Sequence, residues 1–173
     1  MKRGLVVGRF QPFHRGHLGL IHEMEAASDI GEIIIGIGSA QKLHEPMNPF
    51  SAEERKHMIS ASVQCSKPYH LICLEDKGDN ILWTEQVIAT VPAFDVIYSG
   101  NPLVRELFTT RGYEVRPPCT RYGVSATLIR ELMAQGKEWM LHLPDGARDI
   151  VNSIQGENRV RSLNSNNYAE RYQ

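Results

Sequence analysis

Four short runs of β-branched and apolar residues, each separated from the next by a stretch of helix length, leave this chain few folds to choose from. Leu5-Val6-Val7, Ile33 to Ile37, Tyr69 to Leu74 and Asp95 to Tyr98 are runs of the kind a parallel sheet buries on both faces. Between them lie stretches that read as helices, roughly His17 to Ser28, Ala52 to Ser62, Leu82 to Thr90 and Leu103 to Thr110, and a weaker strand, Tyr113 to Arg116, follows. Alternation at this spacing predicts an α/β fold, a three-layer, doubly wound parallel sheet whose right-handed crossovers lay helices over both faces.

Cap chemistry agrees. Ser51-Ala52-Glu53-Glu54 has the form of a capping box, so a helix is expected to begin at Ala52. Ser125 and Thr127 open another, with Leu128, Ile129, Leu132 and Met133 on one stripe and a stop at Gly136. Pro144 starts a last helix through Ile154, closed by Gly156. Residues 1–156 are therefore expected to form one domain, which a chain of 173 residues is long enough to stabilise with its own core. Residues 157–173 carry three Asn between Asn164 and Asn167 and read as a polar tail, loose or ordered only against a neighbour.

Charge and cysteine usage narrow the function. Lys and Arg number 19 against 20 Asp and Glu, a net charge of -1, which is not the footprint of a nucleic-acid binder, so any anion must be met locally. Three widely spaced Cys with no CxxC pair argue against a disulfide framework or a thiolate zinc site and fit a reducing cytoplasm. Met1-Lys2-Arg3 begins like a signal peptide, but Gly8-Arg9 ends the apolar run at once. No segment approaches the roughly 20 apolar residues of a membrane span.

In an open parallel sheet, ligands bind beyond the carboxyl ends of the strands. After the first strand the chain reads Gly8-Arg9-Phe10-Gln11-Pro12-Phe13-His14-Arg15-Gly16-His17, placing two Arg and two His directly ahead of a helix. Free first-turn N–H groups and the positive end of the helix dipole favour an anion there, and phosphate is the natural guest. His14 and His17, three apart around Gly16, can face one oligophosphate on a first turn. The same pair also reads as a cap and a solvated ring, or, less well, as two ligands of a metal lacking a third. A second basic cluster, Arg121 to Arg130, again lies at a helix start, where Ser125 and Thr127 offer hydroxyls and Arg130 can fork onto two phosphate oxygens. Taken alone, that cluster reads first as ordinary helix punctuation.

His14-Arg15-Gly16-His17 resembles the HxGH motif of the nucleotidyltransferase α/β-phosphodiesterase superfamily, and Val124 to Arg130 resembles its ISSTxxR motif. GRFQPFHRGH, GIGSAQ, the NPF segment, Asn80 to Trp83 and Tyr98 to Val104 further resemble the archaeal nicotinamide-mononucleotide adenylyltransferases, over about Lys2 to Ile154. The resemblance implies a Rossmann-like nucleotidyltransferase fold and transfer of AMP from ATP to the 5′-phosphate of nicotinamide mononucleotide, giving NAD and pyrophosphate. By motif, His14, His17, Arg9 and Arg130 are the catalytic candidates. ATP would be held by Gly8, Arg9, Phe10, His14, Gly16, His17, Ser39, Ser99, Gly100, Asn101, Ser125, Thr127 and Arg130. The nicotinamide nucleotide would meet Phe10, Gln11, Asp76, Asn80 and Trp83, with the Trp83 ring against the pyridinium.

Some of these residues have plainer readings. Trp83 shares its stretch with Leu82, Val87 and Ile88 and could be a core residue, and Asn101 could simply cap a helix. Arg55, just inside its helix, reads as surface charge, with reach to the substrate as the alternative, and the remaining histidines read as surface or packing residues. Two departures from the family pattern stand out: Ala126 replaces the second Ser of ISSTxxR, and Met47-Asn48 stands where a basic residue precedes Pro-Phe, with Lys42 the nearest cation. Gly36 to Gln41 lacks the third Gly of a Rossmann fingerprint. The expected partners are ATP, carrying Mg²⁺, and nicotinamide mononucleotide, with no protein metal site, nucleic acid or membrane. The resemblance also implies a homo-oligomer, a hexamer among the forms. FMN or phosphopantetheine as acceptor, cytidylyl transfer, or a non-catalytic nucleotide sensor are the alternatives.

Overall fold

The computed structural model describes residues 1–120 and 122–171, with side chains to residue 165. Arg121, which opens the second basic cluster, and residues 172–173 lie outside the described residues. Five strands, β1 (Lys2–Gly8), β2 (Ile30–Ile37), β3 (Tyr69–Cys73), β4 (Val96–Tyr98) and β5 (Glu114–Arg116), form one sheet in the order β3-β2-β1-β4-β5. Every pairing is parallel. The helices are α1 (Arg15–Ala26), α2 (Ala52–Ser62), α3 (Asn80–Thr90), α4 (Pro102–Thr109), α5 (Ala126–Ala134), α6 (Asp145–Ser153) and α7 (Gly156–Arg171). This is the doubly wound α/β sheet that the alternation predicts. The chain steps from β1 to β2 to β3 in one direction and then places β4 and β5 on the other side of β1. The topological switch point therefore falls between the carboxyl ends of β1 and β4, at Gly8 and Tyr98.

Two compact units are present, the first comprising residues 1–9, 19–40 and 64–121, the second residues 10–18, 41–63 and 122–173. The first unit holds the sheet. One face buries Leu5, Ile34 and Ile97 against Val87 and Val91 at α3 and Phe108 of α4; each such side chain contributes roughly 1.5–3 kcal/mol. On the other face, Gly4 lets α1 approach, since a Cβ there would stand 2.9 Å from Cε of Met24. Arg116 ties β5 to Asp29 through two bonds of 3.0 and 2.6 Å, and these hold the Asp29 carboxyl well below the usual carboxylate range.

In the second unit, α2 begins at Ala52 as predicted. Ser51 Oγ accepts from the Glu54 N–H at 3.2 Å while Glu54 accepts from the Ser51 N–H at 2.8 Å, a complete capping box. Gly146 brings α6 onto α2, where a Cβ would collide with the Ala61 carbonyl.

Five expectations need correcting. Helix α1 starts at Arg15 rather than His17, because the His14 carbonyl already accepts the N–H groups of His17 and Leu18. Helix α3 starts at Asn80 rather than Leu82, because Asp79 caps it through the N–H groups of Ile81 and Leu82. Gln155, not Gly156, takes the left-handed turn after α6, at φ 53°. Gly156 is needed instead for packing, a Cβ there falling 2.9 Å from Phe50 and Val151.

The fourth correction concerns the tail. From Gly156 to Arg171 the chain is the helix α7, packed on α5 and α6. Its anchors are few and mostly polar, which is why composition hid them. Val160 is buried, Glu157 accepts from the Trp139 indole at 3.1 Å, and Arg159 donates to Glu54 at 2.7 Å and to the Pro49 carbonyl at 3.2 Å. Tertiary contacts of this kind supply most helical stability. The fifth is Arg55, expected on the surface but fully buried, with Nε donating to the Ser51 carbonyl at 3.1 Å.

Candidate active site

In the second unit the segment after β1 turns sharply. Phe10 sits in the left-handed region at φ 54°, a conformation that costs a bulky residue of order 1–3 kcal/mol and tends to mark functional loops. Burial of its ring against Phe13 and His17, with centroids 5.8 and 4.8 Å away, offsets that cost. The Phe10 side chain is thus interior.

His14 and His17 form a reciprocal pair. Their rings stack with centroids 3.5 Å apart, and each Nδ1 accepts the other residue's backbone N–H, at 3.2 and 3.4 Å. This arrangement explains the three-residue spacing: the two rings satisfy first-turn donors much as a capping box does. An accepting Nδ1 must be unprotonated, so both rings are neutral with the proton on Nε2. Burial lowers the His14 pKa to about 4, helped by the charge of His142, and burial lowers His17 well below 6.5, helped by His14. Gly16 is required by this pairing, since a Cβ would stand 3.0 Å from the His14 ring and 3.4 Å from Val124. Arg15 of the same motif turns away, donating to the Leu141 carbonyl at 2.9 Å.

The second motif lies in the same unit. Ser125 caps α5, its Oγ accepting from the Leu128 N–H at 3.1 Å, so its hydroxyl serves the helix. Arg130, one turn on, is buried. Its Nη1 donates to the Gln11 carbonyl at 2.8 Å, and its Nη2 lies 3.5 Å from Thr127 Oγ1 and 3.8 Å from Met47 Sδ. Arg130 and Thr127 also line a cavity of about 520 Å³ with Pro46, Met47 and residues of α5 and α7. Met47, where the family pattern has a basic residue, packs its sulfur on Arg130. Gln11, expected at the nicotinamide nucleotide, is buried with both ends of its amide bonded to the Phe50 backbone.

In the first unit the expected residues stand at strand ends. Gly8 closes β1, and its carbonyl accepts from the Gly38 N–H at 2.9 Å. Arg9 follows and is exposed. Ser39, buried and in the left-handed region at φ 50°, donates to Asp76 at 3.0 Å, joining two residues expected at different substrates. Asn80 is exposed at the first turn of α3, and Trp83 is half-buried with its ring edge-on to Phe108 at 6.2 Å. At the end of β4, Ser99 Oγ accepts from the Asn101 N–H, and Asn101 Oδ1 caps α4 through the Leu103 and Val104 N–H groups. The capping role of Asn101 is the one its side chain performs. Gly100 meets Pro118 only in ordinary van der Waals contact, at 3.6 Å, so the fold itself does not demand a glycine there.

Sequence reasoning missed His142, whose field reaches His14, and Phe50, the partner of Gln11. His142 belongs to no recognisable motif, whereas Phe50 ends the NPF segment ahead of a capping box, which was the available signal for it. What the second-unit cluster can do chemically is bind and stabilise an anion with neutral imidazole N–H donors and one buried guanidinium, in a setting of reduced dielectric. It offers no paired nucleophile and base.

The chain is a nucleotidyltransferase: residues 5–132 match the cytidylyltransferase-like family, to which it belongs. Relatives along nearly the whole chain are nicotinamide-nucleotide adenylyltransferases. That of Methanococcus aeolicus is 45% identical over 169 residues, covering 96% of this chain and 97% of its own. Those of Thermoplasma acidophilum and Methanospirillum hungatei are 44% and 46% identical, covering 95% of this chain and 93% and 95% of theirs. Two solved structures of a bifunctional NMN adenylyltransferase/ADP ribose pyrophosphatase from Francisella tularensis, one complexed with AMP and Mn ion, share the fold at TM-scores of 0.76 and 0.79 and 21% and 20% identity. This chain is covered to 99% and spans 55% of that longer protein.

Proposed function

We propose that this enzyme transfers AMP from ATP to the 5′-phosphate of nicotinamide mononucleotide, giving NAD and pyrophosphate. The observation that carries the choice of acceptor is the likeness, along nearly the whole chain, to relatives of that single activity; the histidine cluster alone does not choose. In the reaction an oxygen of the acceptor's 5′-phosphate attacks the α-phosphorus of ATP, a new P–O–P link forms, and the α–β bridge breaks to release pyrophosphate. Positioning and charge stabilisation are what such a transfer needs from a protein.

The residues divide that work. Neutral His14 and His17 hold ATP phosphates through Nε2–H, with His17 bonding the α-phosphate as negative charge develops. Arg130 grips the departing pyrophosphate, with the first turn of α5 and Thr127 beside it, and Arg9 bridges phosphates at the end of β1. Gly8, Ser39, Ser99 and Gly100 line the adenosine side at the strand ends. Asp76, Asn80 and Trp83 receive the nicotinamide. Mg²⁺ would come with ATP, held mainly by the phosphate oxygens, and would supply neutralisation of phosphate charge. Among the described residues no helix is long and apolar enough to cross a membrane, and we place the enzyme in the cytoplasm as a homo-oligomer, which light scattering after gel filtration tests.

The direct test is pyrophosphate release with ATP and Mg²⁺, offering nicotinamide mononucleotide, its deamidated form, FMN and phosphopantetheine in parallel. Release with the first, together with NAD, is expected. Release only with FMN or phosphopantetheine would overturn the acceptor, and ATP binding without release would favour a nucleotide sensor.

A further inference from the structure

We propose that Gln11 is a positioning residue for Arg130 and not a contact for the nicotinamide nucleotide; this rests on reading Arg130 as the pyrophosphate grip. Gln11 is only 1% exposed, and its amide is consumed twice by one residue. Nε2 donates to the Phe50 carbonyl at 2.8 Å, and Oε1 accepts the Phe50 N–H at 2.9 Å. The amide thus pairs with Phe50 as a neighbouring strand would, across 39 residues of sequence. Turning this side chain toward a substrate would break both bonds and strand the buried N–H and C=O of Phe50.

The same residue's carbonyl accepts from Arg130 Nη1 at 2.8 Å. A guanidinium on a long side chain depends on such a bond for its orientation, because its planar fork engages a phosphate only when correctly turned. Gln11 therefore passes the position of Phe50 on to Arg130. Phe50 is itself a fixed point. It is fully buried, stands directly before the capping box of α2, packs against Gly156, and lies under the Arg159 guanidinium at 6.0 Å. Misplacing a catalytic group by an ångström costs up to about 100-fold in rate, so the amide pairing matters to turnover although Gln11 touches no substrate.

The test is a double-mutant cycle on the intact enzyme, using Gln11→Met, which keeps the volume and removes the pairing, together with Arg130→Ala and the combination. Pyrophosphate release gives kcat and both KM values, and circular dichroism checks folding. Gln11→Met is expected to lower kcat roughly 10- to 100-fold, raise KM for ATP and leave KM for nicotinamide mononucleotide unchanged. The double variant is expected to be no slower than Arg130→Ala alone. A raised KM for the nicotinamide nucleotide with kcat intact, or effects that multiply in the double variant, would overturn the proposal. If Arg130→Ala alone leaves turnover unchanged, the grip reading fails, and with it any action of Gln11 through Arg130.

Should Gln11→Met not fold, Gln11→Glu serves. Its carboxyl, when protonated, donates to the Phe50 carbonyl and accepts the Phe50 N–H as the amide does, and burial raises its pKa. Activity relative to wild type is expected to recover as pH falls from about 8 to 6; a flat ratio would overturn the proposal.

Discussion

His14 and His17 each take the other's backbone N–H, whereas Asn101 gives its side chain to the start of α4 and its N–H to Ser99. Both regions stand at helix starts and both satisfy first-turn donors, yet they leave different things to a ligand. The histidines satisfy donors with one ring nitrogen and keep the other as a neutral N–H, so a side chain that caps still has a donor to offer an anion. Asn101 caps with Oδ1 and keeps its Nδ2 hydrogens. At the end of β4 what remains for a nucleotide is that amide, Ser99, the bare Gly100 and the backbone. The histidine region differs in stacking two rings 3.5 Å apart and burying them enough to keep them neutral, so that two N–H donors stand on one first turn.

The sharpest way to break this contrast is to remove the cation that the histidine region shares with α5. Arg130→Ala is expected to cut kcat by roughly 10²–10³-fold, the usual cost of one preorganised charge-stabilising donor, and to destabilise the fold modestly because the Gln11 carbonyl loses its partner. Steady-state kinetics with a thermal melt separate the two effects. Trp83→Ala should act on the first unit alone. Its ring is half-buried against Phe108, and loss of stacking is expected to raise KM for nicotinamide mononucleotide roughly tenfold while sparing KM for ATP.

Acidity distinguishes the regions as well. The folded protein holds His14 with a pKa near 4 against 6.5 for a free ring, so the unfolded chain takes up the proton first. Stability is complete above about pH 6.5 and declines as pH falls from there toward 4. Melting midpoints followed over that window should drop, and His14→Gln should flatten the slope. The smallest effect is reserved for Asn101→Ala, which should cost about 1 kcal/mol of stability through the lost cap and leave both KM values within twofold of wild type. A large rise in KM for ATP would return the side chain to the substrate.

Much of this was legible in the sequence. The strand runs are apolar because both faces of the sheet are covered, and the capping box at Ser51 fixed α2 to the residue. Motif spacing marked His14, His17 and Arg130, and all three occupy one unit. What stayed hidden depends on contacts between distant residues. Gln11 and Arg55 are polar residues whose burial no local pattern announces; the Gln11 amide pairs with the Phe50 backbone across 39 residues. The helical tail was hidden for the same reason, because its anchors Glu157, Arg159 and Val160 look like a solvated stretch until Trp139, Glu54 and Pro49 are placed beside them.

The proposed mechanism turns on the neutral histidine pair stabilising the transfer step. The most direct test is kcat for His17→Ala at saturating ATP and nicotinamide mononucleotide, with KM and the melting midpoint taken on the same preparation. Because the ring packs among Phe10, Phe13 and His14, a modest loss of stability is expected. Turnover should nonetheless fall by at least about 100-fold in fully folded protein, with KM for the nicotinamide nucleotide unchanged. A loss of activity no greater than the fraction unfolded would contradict the account and leave His17 a packing residue.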